Sequence, residues 1–148
     1  MNFLSRQVVF QEVPQEISLS YLITGCSLRC PGCHSPDAWD QTKGSPLTLE
    51  GLFLDIKKYS SWITCVLFMG GEWHGQELVS FLKEVQRQEL KTALYTGETE
   101  LSPEILSHLD YVKYGRYDKN LGGLGSRTTN QRFINLRTNE LMNFHFEK

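Results

Sequence analysis

The chain repeats one order of patterns, a short apolar segment with strand character followed by apolar residues at helical spacing, and this order limits the folds open to it. The strand-like segments are 17–24, 62–69, 91–96 and 110–114. Helical spacing begins at Thr48, after Glu72 and after Ser102. Alternating strand and helix patterns are typical of β/α units with parallel strands. We therefore predict an α/β fold with a mainly parallel sheet.

The length of the chain sets the scale of that fold. Its 148 residues suit one domain, 1–148, and fall short of the roughly 250 residues of a complete eight-fold β/α barrel. We therefore expect a partial, open β/α barrel.

The balance of charged residues and the pattern of the N-terminal residues indicate which partners and which cellular location to expect. Fifteen basic and seventeen acidic residues, with no long run of either sign, predict neither a nucleic-acid partner nor a membrane surface. The first residues lack a signal-peptide pattern, which predicts a cytoplasmic protein. In a reducing compartment, clustered cysteines favour a metal or redox site over disulfides.

Three cysteines, Cys26, Cys30 and Cys33, follow the first strand-like segment with CxxxCxxC spacing. A structural zinc site has four protein ligands, whereas a 4Fe-4S cluster on three thiolates leaves one iron open for another ligand. Two alternatives stay open: a zinc site completed by His34 or another histidine, and a Cys30–Cys33 dithiol redox pair, which leaves Cys26 unexplained. Cys65 lies apart in an apolar strand and is predicted to be core.

Glycine-containing motifs follow the other strands. Gly70-Gly71-Glu72, Thr96-Gly97 and Gly115 each come directly after a strand-like segment. In open α/β sheets and β/α barrels, ligands bind at the carboxyl ends of the strands. The loop that contains Cys26, Cys30 and Cys33, here called the cysteine loop, and these motifs are therefore predicted to share one site.

The cysteine spacing together with Met69-Gly70-Gly71-Glu72 resembles the radical S-adenosylmethionine (SAM) enzymes. Cys30-Pro31-Gly32-Cys33-His34, Trp39 and Thr129-Asn130-Gln131-Arg132 resemble, more narrowly, the activating proteins of anaerobic ribonucleoside-triphosphate reductases. Ser35 and Trp73 depart from that pattern, since many of these activases have Asn and Pro there.

The resemblance implies a fold, a reaction and roles for residues. The fold is the partial barrel of radical SAM enzymes. Cys26, Cys30 and Cys33 would hold one 4Fe-4S cluster whose open iron binds SAM, and reductive cleavage would give a 5'-deoxyadenosyl radical, making the protein an oxidoreductase. The implied cofactor-binding residues are Gly32, His34, Gly70, Gly71, Glu72, Thr96 and Gly97. A Gly-Gly turn with a surface glutamate, and a strand-ending turn at Thr96 and Gly97, are the simpler alternatives.

The implied partners are the glycine-bearing subunit of the anaerobic ribonucleoside-triphosphate reductase and a low-potential electron donor such as flavodoxin. A radical SAM maturase of another substrate, or a zinc-binding interaction module, are alternative functions. The glycine-rich segment 116–127 is predicted to be mobile and to face the partner. The roles of Trp39, Trp73, residues 129–132 and the last residues are left open.

Overall fold

The computed structural model describes residues 1–147, and within them eight strands form a single sheet. The strands are β1 (Asn2–Val9), β2 (Ser18–Ile23), β3 (Ser45–Pro46), β4 (Cys65–Met69), β5 (Lys91–Tyr95), β6 (Tyr111–Tyr114), β7 (Arg132–Asn135) and β8 (Glu140–Leu141). Their order across the sheet is β3-β1-β2-β4-β5-β6-β7-β8. The helices are α1 (Leu49–Tyr59), α2 (Gly75–Arg87) and α3 (Pro103–Ser107), with short 3-10 helices at Pro36–Trp39, Glu72–His74 and Asn143–His145.

The centre of the sheet confirms the predicted β/α order, but the prediction of a mainly parallel sheet is wrong. Strands β2, β4, β5 and β6 are parallel neighbours, joined through α1, α2 and α3. The other four of the seven pairings are antiparallel: β1 with β2 and β3, β6 with β7, and β7 with β8. The fold is therefore a mixed α/β sheet with a parallel centre and antiparallel flanks. The open β/α barrel remains a prediction.

Two helices begin with the caps that their sequences favour. The Thr48 hydroxyl accepts a hydrogen bond from the Gly51 N–H at 2.9 Å at the start of α1. The Ser102 hydroxyl accepts one from Ile105 N–H ahead of Pro103 in α3. Each cap satisfies an N–H that has no partner inside the helix, so the helices begin where the connections from the preceding strands end.

Alternate residues of the central strands pack into two separate cores. Val66, Phe68, Leu94 and Val112 belong to the core formed with α1 and α2. Their neighbours Cys65, Leu67, Ala93 and Tyr111 point to the other face, where they pack with Phe133 and Met142 and with no residue of α1, α2 or α3 among those described. We call this second side the helix-free face. The period of two in a strand puts Met69, Tyr95 and Lys113 on the same face.

The apolar residues near the carboxyl end of the described chain differ in their burial. Phe146 packs against Phe133, with ring centroids 5.3 Å apart, whereas Leu141 and Phe144 are exposed. Among residues 1–147, no helix combines the length and the apolar character needed to cross a membrane.

Candidate functional site

A pocket of about 450 Å³ lies at the carboxyl ends of the four parallel strands. It is lined by residues from the segment after each strand: Cys26, Cys30, Cys33 and His34 after β2, Gly70 and Glu72 after β4, Thr96 and Gly97 after β5, and Gly115 after β6. These segments are far apart in sequence, and the parallel strands end at the same edge of the sheet. The structure therefore brings the cysteine loop and the glycine motifs to one cavity.

Two of the predicted cofactor-binding residues do not line this pocket. A Cβ atom on Gly71 would face the Met1 and Ile23 side chains, and one on Gly32 would face Tyr117 and Lys119. Both glycines lie in the turns that carry pocket residues, next to Gly70 and Cys33 respectively. Their position supports a role in shaping the turns.

The cysteine loop is held at its base and at its tip. Gly25 N–H donates to the Ala38 carbonyl at 2.7 Å, which closes the base of the loop. Cys33 N–H donates to the Cys30 carbonyl at 3.0 Å, a tight turn at the tip. The Arg116 guanidinium, in the segment after β6, donates to the Leu28 carbonyl at 2.9 Å. The loop thus keeps Cys30 buried and leaves Cys26 and Cys33 partly accessible.

The three cysteines line one pocket without forming, among the described residues, a site for a single metal ion. Among residues 1–147, no three His, Cys, Asp or Glu side chains converge closely enough to hold a single metal ion. A 4Fe-4S cluster does not require such convergence, because each thiolate binds a different iron. Burial raises the pKa of the Cys26 thiol, and the charge of Glu72 acts in the same direction, while the backbone N–H of Leu28 opposes it. Metal binding at Cys26 would therefore release a proton.

Glu72 presents an unsatisfied oxygen at this site. Its Oε1 accepts a hydrogen bond from the Thr96 hydroxyl at 2.6 Å, whereas its buried Oε2 has no hydrogen-bond partner among the described residues. Burial raises the pKa of the Glu72 carboxyl, and the Thr96 hydrogen bond opposes this. A buried carboxylate oxygen without a partner is costly, so the pocket wall is suited to a ligand that donates a hydrogen bond or carries a positive charge.

Trp73 joins the turn after β4 to the start of the cysteine loop. Its indole N–H donates to the Thr24 carbonyl at 3.1 Å. A Cβ atom on Gly70 would lie 2.5 Å from Trp73 Cη2, and one on Gly25 would lie 2.8 Å from Trp73 Nε1. The ring is therefore packed against the backbone at both glycines, and it fixes the two motifs relative to each other.

Segment 116–127 and the residues after it form another wall of the pocket. Tyr117 lies against His34, with ring centroids 5.3 Å apart, and Gly123, Leu124 and Gln131 line the cavity. The Gln131 amide donates to the Gly115 carbonyl at 3.1 Å. This segment therefore contacts the cysteine loop, while its predicted mobility and its contact with a partner stay predictions.

The sequence prediction missed the floor of the pocket. The residues that line it are Leu22, Met69, Tyr95 and Lys113. Each is the last or the next-to-last residue of its strand and points to the helix-free face. The alternation of each strand could have indicated these positions, since they follow Ser20, Leu67, Ala93 and Tyr111 by two residues. Trp39 also lines the pocket, and its buried indole N–H has no partner among the described residues.

The donor set and the two unsatisfied groups fit an iron-sulfur cluster with a polar ligand beside it. Three thiols, one free carboxylate oxygen and one free indole N–H line or border the same cavity. Thiolates are the protein ligands of such clusters. The site therefore has the residues that the cluster needs.

Comparison with known proteins identifies the family. Residues 17–134 match the family of 4Fe-4S single cluster domains, and the chain belongs to this family. The matched range includes all four cysteines and every strand of the parallel centre.

Two characterised relatives are similar over shorter stretches. The pyruvate formate-lyase-activating enzyme of Clostridium pasteurianum is 35% identical over an alignment of 99 residues, and the match covers 60% of this chain and 40% of that enzyme. The 7-carboxy-7-deazaguanine synthase of Hyperthermus butylicus is 40% identical over 50 residues, 34% of this chain and 20% of that enzyme. The matched part of the chain thus spans less than half the length of either relative.

Proposed function

We propose that this protein is a radical SAM activase, an oxidoreductase that generates a glycyl radical on a partner enzyme. The observation that carries the proposal is the pocket that is lined by three cysteines and by Glu72, whose carboxylate has one oxygen without a hydrogen-bond partner among the described residues. Membership of the 4Fe-4S single cluster family supports the cofactor, and similarity to a pyruvate formate-lyase-activating enzyme supports the reaction.

In this proposal Cys26, Cys30 and Cys33 each bind one iron of a 4Fe-4S cluster, and the fourth iron binds SAM. When bound, the cluster supplies the electron that breaks a carbon–sulfur bond of SAM, giving methionine and a 5'-deoxyadenosyl radical. The loop contributes position, since its hydrogen bonds to Ala38 and from Arg116 hold the thiols at one pocket.

Glu72 and its neighbours would bind the amino acid end of SAM. The free Oε2 of Glu72 is an acceptor for a positively charged amino group, and Thr96 fixes the carboxylate by donating to Oε1. A cation beside Glu72 would favour its ionised form and counter the effect of burial. Gly70 and Gly97 line the cavity, with Trp73 and Leu28 packed where their Cβ atoms would lie, and the exposed His34 ring borders it.

The remaining pocket residues would protect a reactive radical. Leu22, Met69 and Leu124 offer apolar surface around the cavity, and an apolar enclosure limits the access of water and other quenching groups. In this reaction the protein's contribution is orientation and exclusion, while the bond breaking belongs to the cofactor.

For the partner, we propose the glycine-bearing subunit of an anaerobic ribonucleoside-triphosphate reductase. The support is the resemblance of residues 30–34 and 129–132 to activases of that enzyme. A glycyl-radical enzyme of the pyruvate formate-lyase type is the second candidate, favoured by the similarity to its activase. The electron donor would be a low-potential protein such as flavodoxin.

The test is activation of purified partners. The anaerobically reconstituted protein is mixed with SAM, a reductant and either the reductase or pyruvate formate-lyase, and the glycyl radical is quantified by electron paramagnetic resonance. We expect a radical on the reductase, with Cys30→Ala inactive and Cys65→Ala active. A radical on pyruvate formate-lyase alone would reassign the partner. Tightly bound zinc without inorganic sulfide, and no SAM cleavage, would refute the activase and favour a zinc-binding module.

A further inference from the structure

Four residues form a row across the floor of the pocket. Leu22 is paired with Met69, Met69 with Tyr95, and Tyr95 with Lys113 in the parallel register of β2, β4, β5 and β6. Neighbours at the same register of a parallel sheet lie side by side on one face. Lys113 is therefore the one charged residue in a floor that is otherwise aliphatic, thioether or aromatic.

Lys113 forms no salt bridge with any carboxylate among the described residues. Within residues 1–147, its ammonium group makes no salt bridge within 4.0 Å and no hydrogen bond, and its closest described interaction is with the Tyr95 ring, 5.0 Å from Nζ to the centroid. Lys91, at the start of β5, is different: its Nζ lies 2.7 Å from Glu16 Oε1. A partly buried cation left unpaired is unfavourable, so Lys113 indicates that something anionic belongs in the pocket.

The groups facing Lys113 are those that would carry the cluster. Lys113 lines the same cavity as Cys30, Glu72, Cys33 and Cys26. Burial lowers the pKa of the Lys113 ammonium, and the negative charges of these four groups oppose that shift. Glu72 is held by Thr96 on its other oxygen. Three thiolates make a cluster anionic, and adding an electron makes it more so. A fixed positive charge beside it therefore favours the reduced state, because net charge and local electrostatics set the reduction potential.

We propose that Lys113 is the counter-charge of the cluster and raises its reduction potential. This inference rests on the proposed function, because it takes the cluster to be held by Cys26, Cys30 and Cys33. One electron passes from an external low-potential reductant to the cluster, and Lys113 stabilises the product of that transfer. Lys113 acts through charge and is a positioning residue, with no bond made or broken at its nitrogen.

The test is a redox titration of the reconstituted protein without SAM, followed by the electron paramagnetic resonance signal of the reduced cluster. Lys113→Met removes the charge and keeps most of the side-chain volume. At a given solution potential, we expect the ratio of reduced to oxidised cluster in this variant to be at least about tenfold lower than in the wild type. This corresponds to a reduction potential lower by about 59 mV for one electron. Lys113→Arg should stay close to wild type. Lys83→Met, on the exposed side of α2, removes the same charge far from the site and should change nothing.

Other results of these measurements would also support or overturn the role of Lys113. An unchanged potential in Lys113→Met would overturn the proposal, as would a defect confined to SAM affinity. If Lys113→Met fails to assemble a cluster, assembly in Lys113→Arg supports the need for charge, and failure of both variants overturns it. Failure of the proposed function is separate: the wild-type cluster would then be reduced without cleaving SAM.

Discussion

Gly70→Ala is the substitution whose effect follows most directly from the geometry of the site. Gly70 has φ of +92°, and its N–H donates to the Tyr95 carbonyl at 2.9 Å. A Cβ atom there would lie 2.5 Å from Cη2 of Trp73, with two further ring atoms at 3.3 Å. The alanine would therefore meet an unfavourable backbone conformation and a packed indole at the same time.

The magnitude can be worked from these two terms. A non-glycine residue in such a backbone region costs about 1–3 kcal/mol, and overpacking against a fixed ring costs about 1–3 kcal/mol. The lower entropy of the unfolded alanine chain returns about 0.4–1 kcal/mol. The free energy of unfolding should therefore fall by about 1–5.6 kcal/mol, and Tm by at least roughly 2 °C for a chain of this size.

The assay is urea and thermal unfolding of the metal-free protein, followed by circular dichroism. Gly123→Ala is the matched control, because Gly123 also lines the pocket but has no positive φ, and the nearest atom to an added Cβ is Gln131 Oε1 at 3.8 Å. The control should lie within about 0.5 kcal/mol of wild type or be slightly stabilised. A Gly70→Ala protein as stable as the control would refute the reasoning.

Three further predictions concern single side chains. Trp73→Phe removes the hydrogen bond to the Thr24 carbonyl and should lower the free energy of unfolding in urea by about 1–3 kcal/mol. The control Trp62→Phe, at a side chain that is 68% exposed, should lower it by less than about 0.5 kcal/mol. Equal losses would contradict the role of Trp73 in joining the two turns. Burial raises the Glu72 pKa above its ordinary 4.5, so the folded protein binds that proton more tightly and loses stability as pH rises from 4.5 through the raised pKa. Glu72→Gln should therefore gain stability over wild type above pH 4.5, measured on the metal-free protein, and a pH-independent difference would argue against a buried carboxyl. Cys65→Ala should keep the full iron and sulfide content and lower the free energy of unfolding by about 1 kcal/mol. The reason is that the Cys65 thiol packs in the core, where burial raises its pKa to about 12. Loss of iron in this variant would exclude a purely structural role for Cys65.

The parallel centre of the fold could be predicted because its signals are local. Apolar strand segments, the Thr48 and Ser102 caps and the glycines after each strand are all present within a few residues. The common position of strand ends then follows from topology. This is why the cysteines, Glu72 and Thr96 could be expected at one site.

The flanks of the sheet could not be predicted in the same way. Residues 2–9 form β1, but four consecutive residues of it are exposed and its alternation is weak. Strands β3 and β8 have only two residues each. Their pairing depends on contacts distant in sequence, which leave little local pattern. The expectation of a mainly parallel sheet failed for this reason.

Long-range contacts also determine the parts of the site that the sequence left open. Trp73 finds its acceptor in Thr24, 49 residues away. Lys113 gains its place in the floor from the register with Tyr95. No sequence neighbour marks the acceptor of Trp73, and the alternation of β6 indicates the face of Lys113 without indicating the residues it meets there, so both roles required the structure.

The most direct test of the account is electron paramagnetic resonance of the reconstituted, dithionite-reduced protein, with and without SAM. We predict a reduced-cluster signal that changes when SAM is added, together with formation of methionine and 5'-deoxyadenosine. Cys26→Ala should abolish both effects, and Cys65→Ala should preserve them. A protein that binds zinc, gives no iron-sulfur signal and does not respond to SAM would contradict the central claim.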